Sequence, residues 1–203
     1  MVKIYVEGGG DQARSKSQFR RGFSEFFSGA LPEGKKPRII ACGSRKKAYD
    51  RFHTAIRENK NEFCMLLVDS EGPVHDGIKR WDFLKIRRAD GWEKPDGAHE
   101  DNVQFMVQCM ESWFLADKDC LADFFGQGFN PGALPNNPEI ERVPKKDVFG
   151  GLKNASRHAR TKGGYKKGRH SFEILAKINP QKVCEASDHA RNLIDTLKNK
   201  MVG

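Results

Sequence analysis

Apolar and polar positions alternate over the first residues, with Val2, Ile4 and Val6 set against Lys3, Tyr5 and Glu7. A period of two predicts a strand, because successive side chains point to opposite faces. The strand runs into Gly8-Gly9-Gly10, which turn without steric cost, and then Asp11, a residue type that caps helices. Phe19, Phe23, Phe26 and Phe27 recur at helical spacing, which predicts a helix over 11–30 with an aromatic stripe turned to a core. Arg14, Lys16, Arg20 and Arg21 fall on or near its other face, and Leu31-Pro32-Glu33-Gly34 ends it. A second strand is expected over 37–42 and a second helix over 45–60, with Ala48, Phe52, Ala55 and Ile56 inward. Residues 63–69 (FCMLLVD) predict a third strand, apolar without alternation as in a parallel strand buried on both faces. The order β-α-β-α-β with short connections predicts a parallel sheet with right-handed crossovers.

Residues 72–101 break this rhythm with Gly72-Pro73, Asp90-Gly91, Pro95 and Asp96-Gly97, all turn signals. Trp81, Phe83, Leu84, Ile86 and Trp92 make this a packed insertion, and its position after Asp69 suits a flap. A fourth strand is expected over 102–109, running into a segment, 110–117, that is apolar except for Glu111, Ser112 and Asp117. An acid inside an apolar run is expensive to bury without a partner. Glu111 is therefore a candidate ligand or acid/base group, with a salt bridge to a Lys or Arg as the structural alternative. Asp117 suits the N-cap of a helix over 118–125. After a proline-rich connection, short helices are expected over 146–157, 171–178 and 180–200. The reading is an α/β core over 1–140 that includes the insertion, with a helical part over 141–203 packed on it.

Charge changes the picture more than composition does. The chain of 203 residues is 37% hydrophobic and 31% charged, as in polar globular proteins. Five cysteines show neither a CxxC pair nor zinc spacing, which suits buried thiols in a reducing cytoplasm. The first residues form a strand rather than a basic, then apolar leader, and no apolar run is long enough for a membrane span, so a cytoplasmic location is expected. The net charge of +9 lies in one place: residues 1–140 carry 21 Lys+Arg and 21 Asp+Glu, residues 141–203 carry 15 and 6. Between Val148 and Phe172 there is no acid. Such a cluster attracts polyanions, nucleic acid first, although a solvated basic loop is the plainer reading. Residues 161–170 (TKGGYKKGRH) set glycines beside paired bases, which lets backbone N–H groups and cations approach phosphate. Lys153, Lys166, Lys167, Arg169 and His170 are the candidate nucleic-acid contacts, with a helix cap as the other reading of His170.

Glu7 follows the first strand, and Asp69 and Glu71 sit at the end of the third. Open α/β sheets place their chemistry at such carboxyl tips. Singly, each is ordinarily a solvated loop acid; three from two adjacent tips would make a divalent-metal site. Oxygen-only ligands suit Mg²⁺ or Mn²⁺. There is no G-x-x-x-x-G-K-[ST], no G-x-G-x-x-G, no H-E-x-x-H and no G-x-S-x-G, which disfavours a Walker ATP site, a dinucleotide fold, a zincin and a serine hydrolase.

The pattern Glu7-Gly8-x-x-Asp11 after one strand, with Asp69-x-Glu71 after another, resembles the Toprim fold of topoisomerases, DnaG-type primases and OLD nucleases. The segments YVEGGGD, LLVDSEGPV, MVQCMESWFLAD, FFGQGF and KKGRHSFEIL are similar to a bacterial Toprim-like family often encoded beside an ATPase of the AAA or ABC/SMC-like type. The resemblance implies a Rossmannoid, mostly parallel sheet flanked by helices and a Mg²⁺-dependent phosphodiesterase or nuclease. By position, Glu7 would be a metal ligand or general acid/base, and Asp69 and Glu71 metal ligands; on the reading of the residues, Glu111 and Lys167 join Glu7 as the catalytic candidates. Glu71 stands where Toprim enzymes carry Asp. Nucleic acid and a separately encoded ATPase would be the partners, in defence against phage, with a homodimer left open. The alternative is a non-catalytic module of the same shape that binds nucleic acid or a partner.

Overall fold

Strands β1 (Val2–Val6), β2 (Arg38–Ala41), β3 (Phe63–Asp69) and β4 (Val103–Met106) pair in parallel in the computed structural model, in the order β2-β1-β3-β4. The structure describes residues 1–10, 12–58 and 61–201. The expected α/β class with a parallel sheet flanked by helices is the observed one, of a Rossmann-like kind consistent with Toprim. Alternation divides the strand side chains between two cores. Ile4, Val6, Met65 and Leu67 face one side; Tyr5, Cys64, Leu66 and Val68 face the other.

On the first side lies α1 (Ala13–Ala30), whose Phe19, Phe23, Phe26 and Phe27 are all buried. The C-terminal helices α5 (Lys145–Ser156), α6 (Arg169–Leu175), α7 (Pro180–Ala186) and α8 (Asp188–Met201) join that core through Leu152, Ile174, Val183 and Leu193. On the second side lie α2 (Arg45–Glu58) and the insertion with α3 (Arg80–Ile86), where Trp81 and Trp92 are buried. These tryptophans anchor the insertion, with the Trp81 indole N–H donating to His99 O and Trp92 stacked on Tyr49.

Some boundaries move for local reasons. The N-cap position of α1 is Gln12, whose side chain makes no cap bond; the expected cap, Asp11, lies outside the described residues, as does Lys60 at the expected end of α2. The fourth strand is shorter than expected, and the chain passes instead into a 3₁₀ helix over Met110–Ala116. Asp117 caps α4 (Lys118–Phe125), accepting the Cys120 N–H. The single helix expected over 180–200 is broken at Ser187. Its hydroxyl donates to Glu141 and accepts the Ala190 N–H, a cap geometry that competes with continuing the helix. No described helix is long and apolar enough to cross a membrane.

Candidate active site

All four strands point their carboxyl ends to one rim of the sheet, so residues far apart in sequence meet there. Glu7 is the first residue off β1, and its N–H donates to Leu67 O across the strand tips. Gly8 and Gly43 exchange backbone hydrogen bonds of 2.8 and 2.9 Å, which tie the tips of β1 and β2. Gly8 adopts φ +127°, and a Cβ there would lie 2.5 Å from the Phe19 ring. That ring is itself buried, edge-on against Phe172. Gly8→Ala is therefore expected to cost about 2 kcal/mol, from backbone strain and overpacking together. A denaturant titration reads this directly, and an unchanged midpoint would contradict the close approach.

Asp69 ends β3. Its Oδ1 accepts the Met110 N–H at 2.9 Å and its Oδ2 lies 3.6 Å from Lys145 Nζ. Glu71 takes φ +66°, a conformation non-glycine residues seldom adopt, and its Oε1 accepts from Lys145 Nζ at 2.7 Å. Glu111 is 2% exposed. Its Oε1 accepts the Tyr165 hydroxyl at 3.2 Å and the Ser171 hydroxyl at 3.1 Å, so hydroxyls stand where a Lys or Arg was the structural expectation. Arg45 opens α2 beyond the β2 tip. Its Nη1 donates to Glu7 Oε2 at 3.1 Å and to the Asp69 carbonyl, while Nε and Nη2 grip both oxygens of Asp90 at 2.8 Å. The insertion thus reaches the site through Asp90, which orients Arg45.

Glu7, Asp69 and Glu111 line one cavity of about 500 Å³ with the Gly8–Gly10 turn, Ser171 and Lys167. Burial, then the nearby Glu111 and Glu7, push the Asp69 carboxyl up to about 7. Burial also raises Glu7, Arg45 opposing and Glu71 adding to it. Lys145 sits above the usual lysine value although burial opposes this, because Glu71 and Asp69 hold its proton. Among the described residues, no three acid, histidine or cysteine side chains converge as a finished chelate. The donor chemistry nonetheless fits a hard divalent cation. All donors are carboxylate oxygens, and Lys145 Nζ marks a cation position beside Asp69 and Glu71.

Lys153, Lys166, Lys167 and Arg169 are exposed. Lys167 faces the acid cavity and also lies 4.9 Å over the Phe149 ring. His170 is different: it is 1% exposed, Nδ1 accepts the Lys166 N–H at 3.2 Å, and Phe124 and Phe125 meet its ring edge-on. Burial, followed by the charge of Arg169, lowers its pKa. It therefore pins the basic loop from inside and has no surface to offer a polyanion. It does not cap the helix either, since Gly168 holds that position. Arg45, Lys145, Tyr165 and Ser171 are the site residues the sequence reading passed over. Arg45 alone had a signal, since it follows a strand tip just as the acids do.

The profile of a family described as a domain of unknown function (DUF4276) matches residues 6–198. No curated protein and no solved structure matches the chain.

Proposed function

We propose for this chain, which belongs to the DUF4276 family, the activity of a metal-dependent phosphodiesterase acting on nucleic acid. The observation that carries the reading is the cavity where Glu7 and Asp69, at the tips of β1 and β3, and Glu111, in the 3₁₀ helix beyond β4, face Lys167. A wall of acids opposite a cation suits a phosphodiester, whose charge needs a partner while a nearby base handles the proton of the attacking water. Glu7, with its proton affinity raised by burial, is the candidate acid/base group. Glu111, fixed by Tyr165 and Ser171, is the second. Lys167 meets the phosphate, and exposed Lys153, Lys166 and Arg169 hold the flanking backbone. A magnesium or manganese ion held by Glu7, Asp69 and Glu71 would supply an activated water and neutralise charge on the phosphate. The sequence resemblance adds a separately encoded ATPase as partner and phage defence as the setting.

One observation favours a second reading. Arg45 and Lys145 already neutralise Glu7, Asp69 and Glu71, as in a binding module whose acids serve the fold. Cleavage of labelled single- and double-stranded DNA and RNA, with Mg²⁺ and Mn²⁺, separates the two. The enzyme reading expects turnover, lost by about 10²–10⁴-fold in Glu7→Gln, with the thermal transition retained. Binding without turnover, or cleavage that ignores the substitution, would establish the module instead.

A further inference from the structure

The order β2-β1-β3-β4 leaves β2 at an edge of the sheet, and a groove of about 910 Å³ runs along it between α1 and α2. Tyr5, Ile39 and Ile40 contribute apolar surface to it. Its cations come from three elements: Lys16 and Arg20 from α1, Arg38 from β2 and Arg51 from α2. Its two acids are Asp50 and Glu58, and Asp50 is bonded to Lys46. Among the described residues, none of the four cations forms an ion pair with a carboxylate. Elsewhere in the core, Lys3, Arg45 and Arg87 all do. An unpaired surface cation alone means little, because exposed pairs contribute little. Four that converge on one concave surface are another matter, since they outnumber the two acids there and an anion from outside relieves their mutual repulsion.

The groove also adjoins the acid cavity. Ser15 and Phe19 of α1 line the cavity, while the next residues on the same helix, Lys16 and Arg20, line the groove. At the partition, a Cβ on Gly9 would lie 3.2 Å from Ala41, itself a groove residue. A chain crossing the glycine turn therefore passes from the cations to the acids. We infer that this groove is a second binding track for a single strand of nucleic acid, held by Lys16, Arg20, Arg38 and Arg51 on its way to or from the cavity. The inference rests on the nucleic-acid reading above and extends it from the basic C-terminal loop to the opposite side of the site. Three of the four cations are arginines, whose planar fork matches phosphate. An acidic peptide added as a fifth strand is the competing occupant. With β2 only four residues long, alternate amides facing out give such a strand little to bond to.

The test is fluorescence anisotropy with labelled oligo-dT and oligo-U of about 20 nucleotides, on the full chain in EDTA so that no turnover is needed. The triple variant R20A/R38A/R51A is expected to weaken binding at least tenfold. It should also flatten the salt dependence by about two units of slope, at roughly 0.7 per phosphate contact. The triple Arg→Lys variant should keep most of the affinity, which separates lost charge from a lost fold. Unchanged affinity and slope in the alanine variant overturn the track, as does a wild-type chain that binds neither oligonucleotide. A variant that loses poly-glutamate but keeps the oligonucleotides overturns it in favour of a protein partner. Because the readout is binding, a chain that shows the groove effect but never cleaves fails as a nuclease and keeps the track. One that cleaves while the alanine variant binds normally fails the track alone.

Discussion

Asp69→Asn is expected to remove metal-dependent cleavage by about 10²–10³-fold and, at the same time, to make the metal-free protein more stable at neutral pH and above. The two effects have one cause. In the folded chain Asp69 is enclosed at the end of β3 beside Glu111 and Glu7, and its carboxyl is raised from 3.8 to about 7. The folded state thus binds its proton more tightly than the unfolded state does. Stability from this group is fully present below pH 3.8 and is lost as the pH rises to about 7. Each unit corresponds to about 1.4 kcal/mol. The side chain is 13% exposed, so solvent trims the total to roughly 2–4 kcal/mol. Asparagine keeps an oxygen for the Met110 N–H and carries no charge to bury. Its stability gain over wild type should therefore open between pH 4 and pH 7 and hold steady above. Urea titrations in EDTA across that range measure it. An asparagine variant that still cleaves removes Asp69 from the chemistry; one that is no more stable at pH 8 removes the electrostatic strain.

What the chain alone disclosed follows the range of the interactions concerned. The strands β1 and β3, the phenylalanine face of α1 and the acids at the strand tips are legible because each is set by residues within a few positions of one another. Open sheets also place function at those tips whatever the side chains. The partners of those acids were not legible. Lys145 reaches Glu71 from 74 positions away and Tyr165 reaches Glu111 from 54, and neither leaves a local pattern. His170 shows the converse. Its neighbours Lys166, Lys167 and Arg169 suggested a surface role, but Phe124 and Phe125, from a different helix, enclose it. The groove along β2 was hidden for the same reason. Its four cations belong to three elements that lie apart in the sequence and meet only when the sheet forms.

Lys145→Met should show most plainly whether the four acids form a cation site. Lys145 Nζ lies 2.7 Å from Glu71 and 3.6 Å from Asp69, with both acids and the lysine about a quarter exposed or less. Removing one partner of a fully buried pair costs about 3–5 kcal/mol; partial exposure lowers the expectation here to roughly 2–3 kcal/mol in metal-free buffer at pH 7.5. Methionine fills a similar volume, so packing is held nearly constant and the loss reports charge. Glu71 and Asp69 would then face each other, and Glu7 beyond, without the ammonium. Two treatments should restore the variant more than they help the wild type. Millimolar Mg²⁺ replaces the missing positive charge, and lowering the pH toward 5 protonates Asp69, whose carboxyl already favours its proton. The second treatment acts on any crowded acid pair, whereas the first requires oxygens that a divalent ion can share. A variant rescued by acid but indifferent to Mg²⁺ would mean that the rim of the sheet gathers negative charge without holding a metal. The binding-module reading would then replace the enzyme.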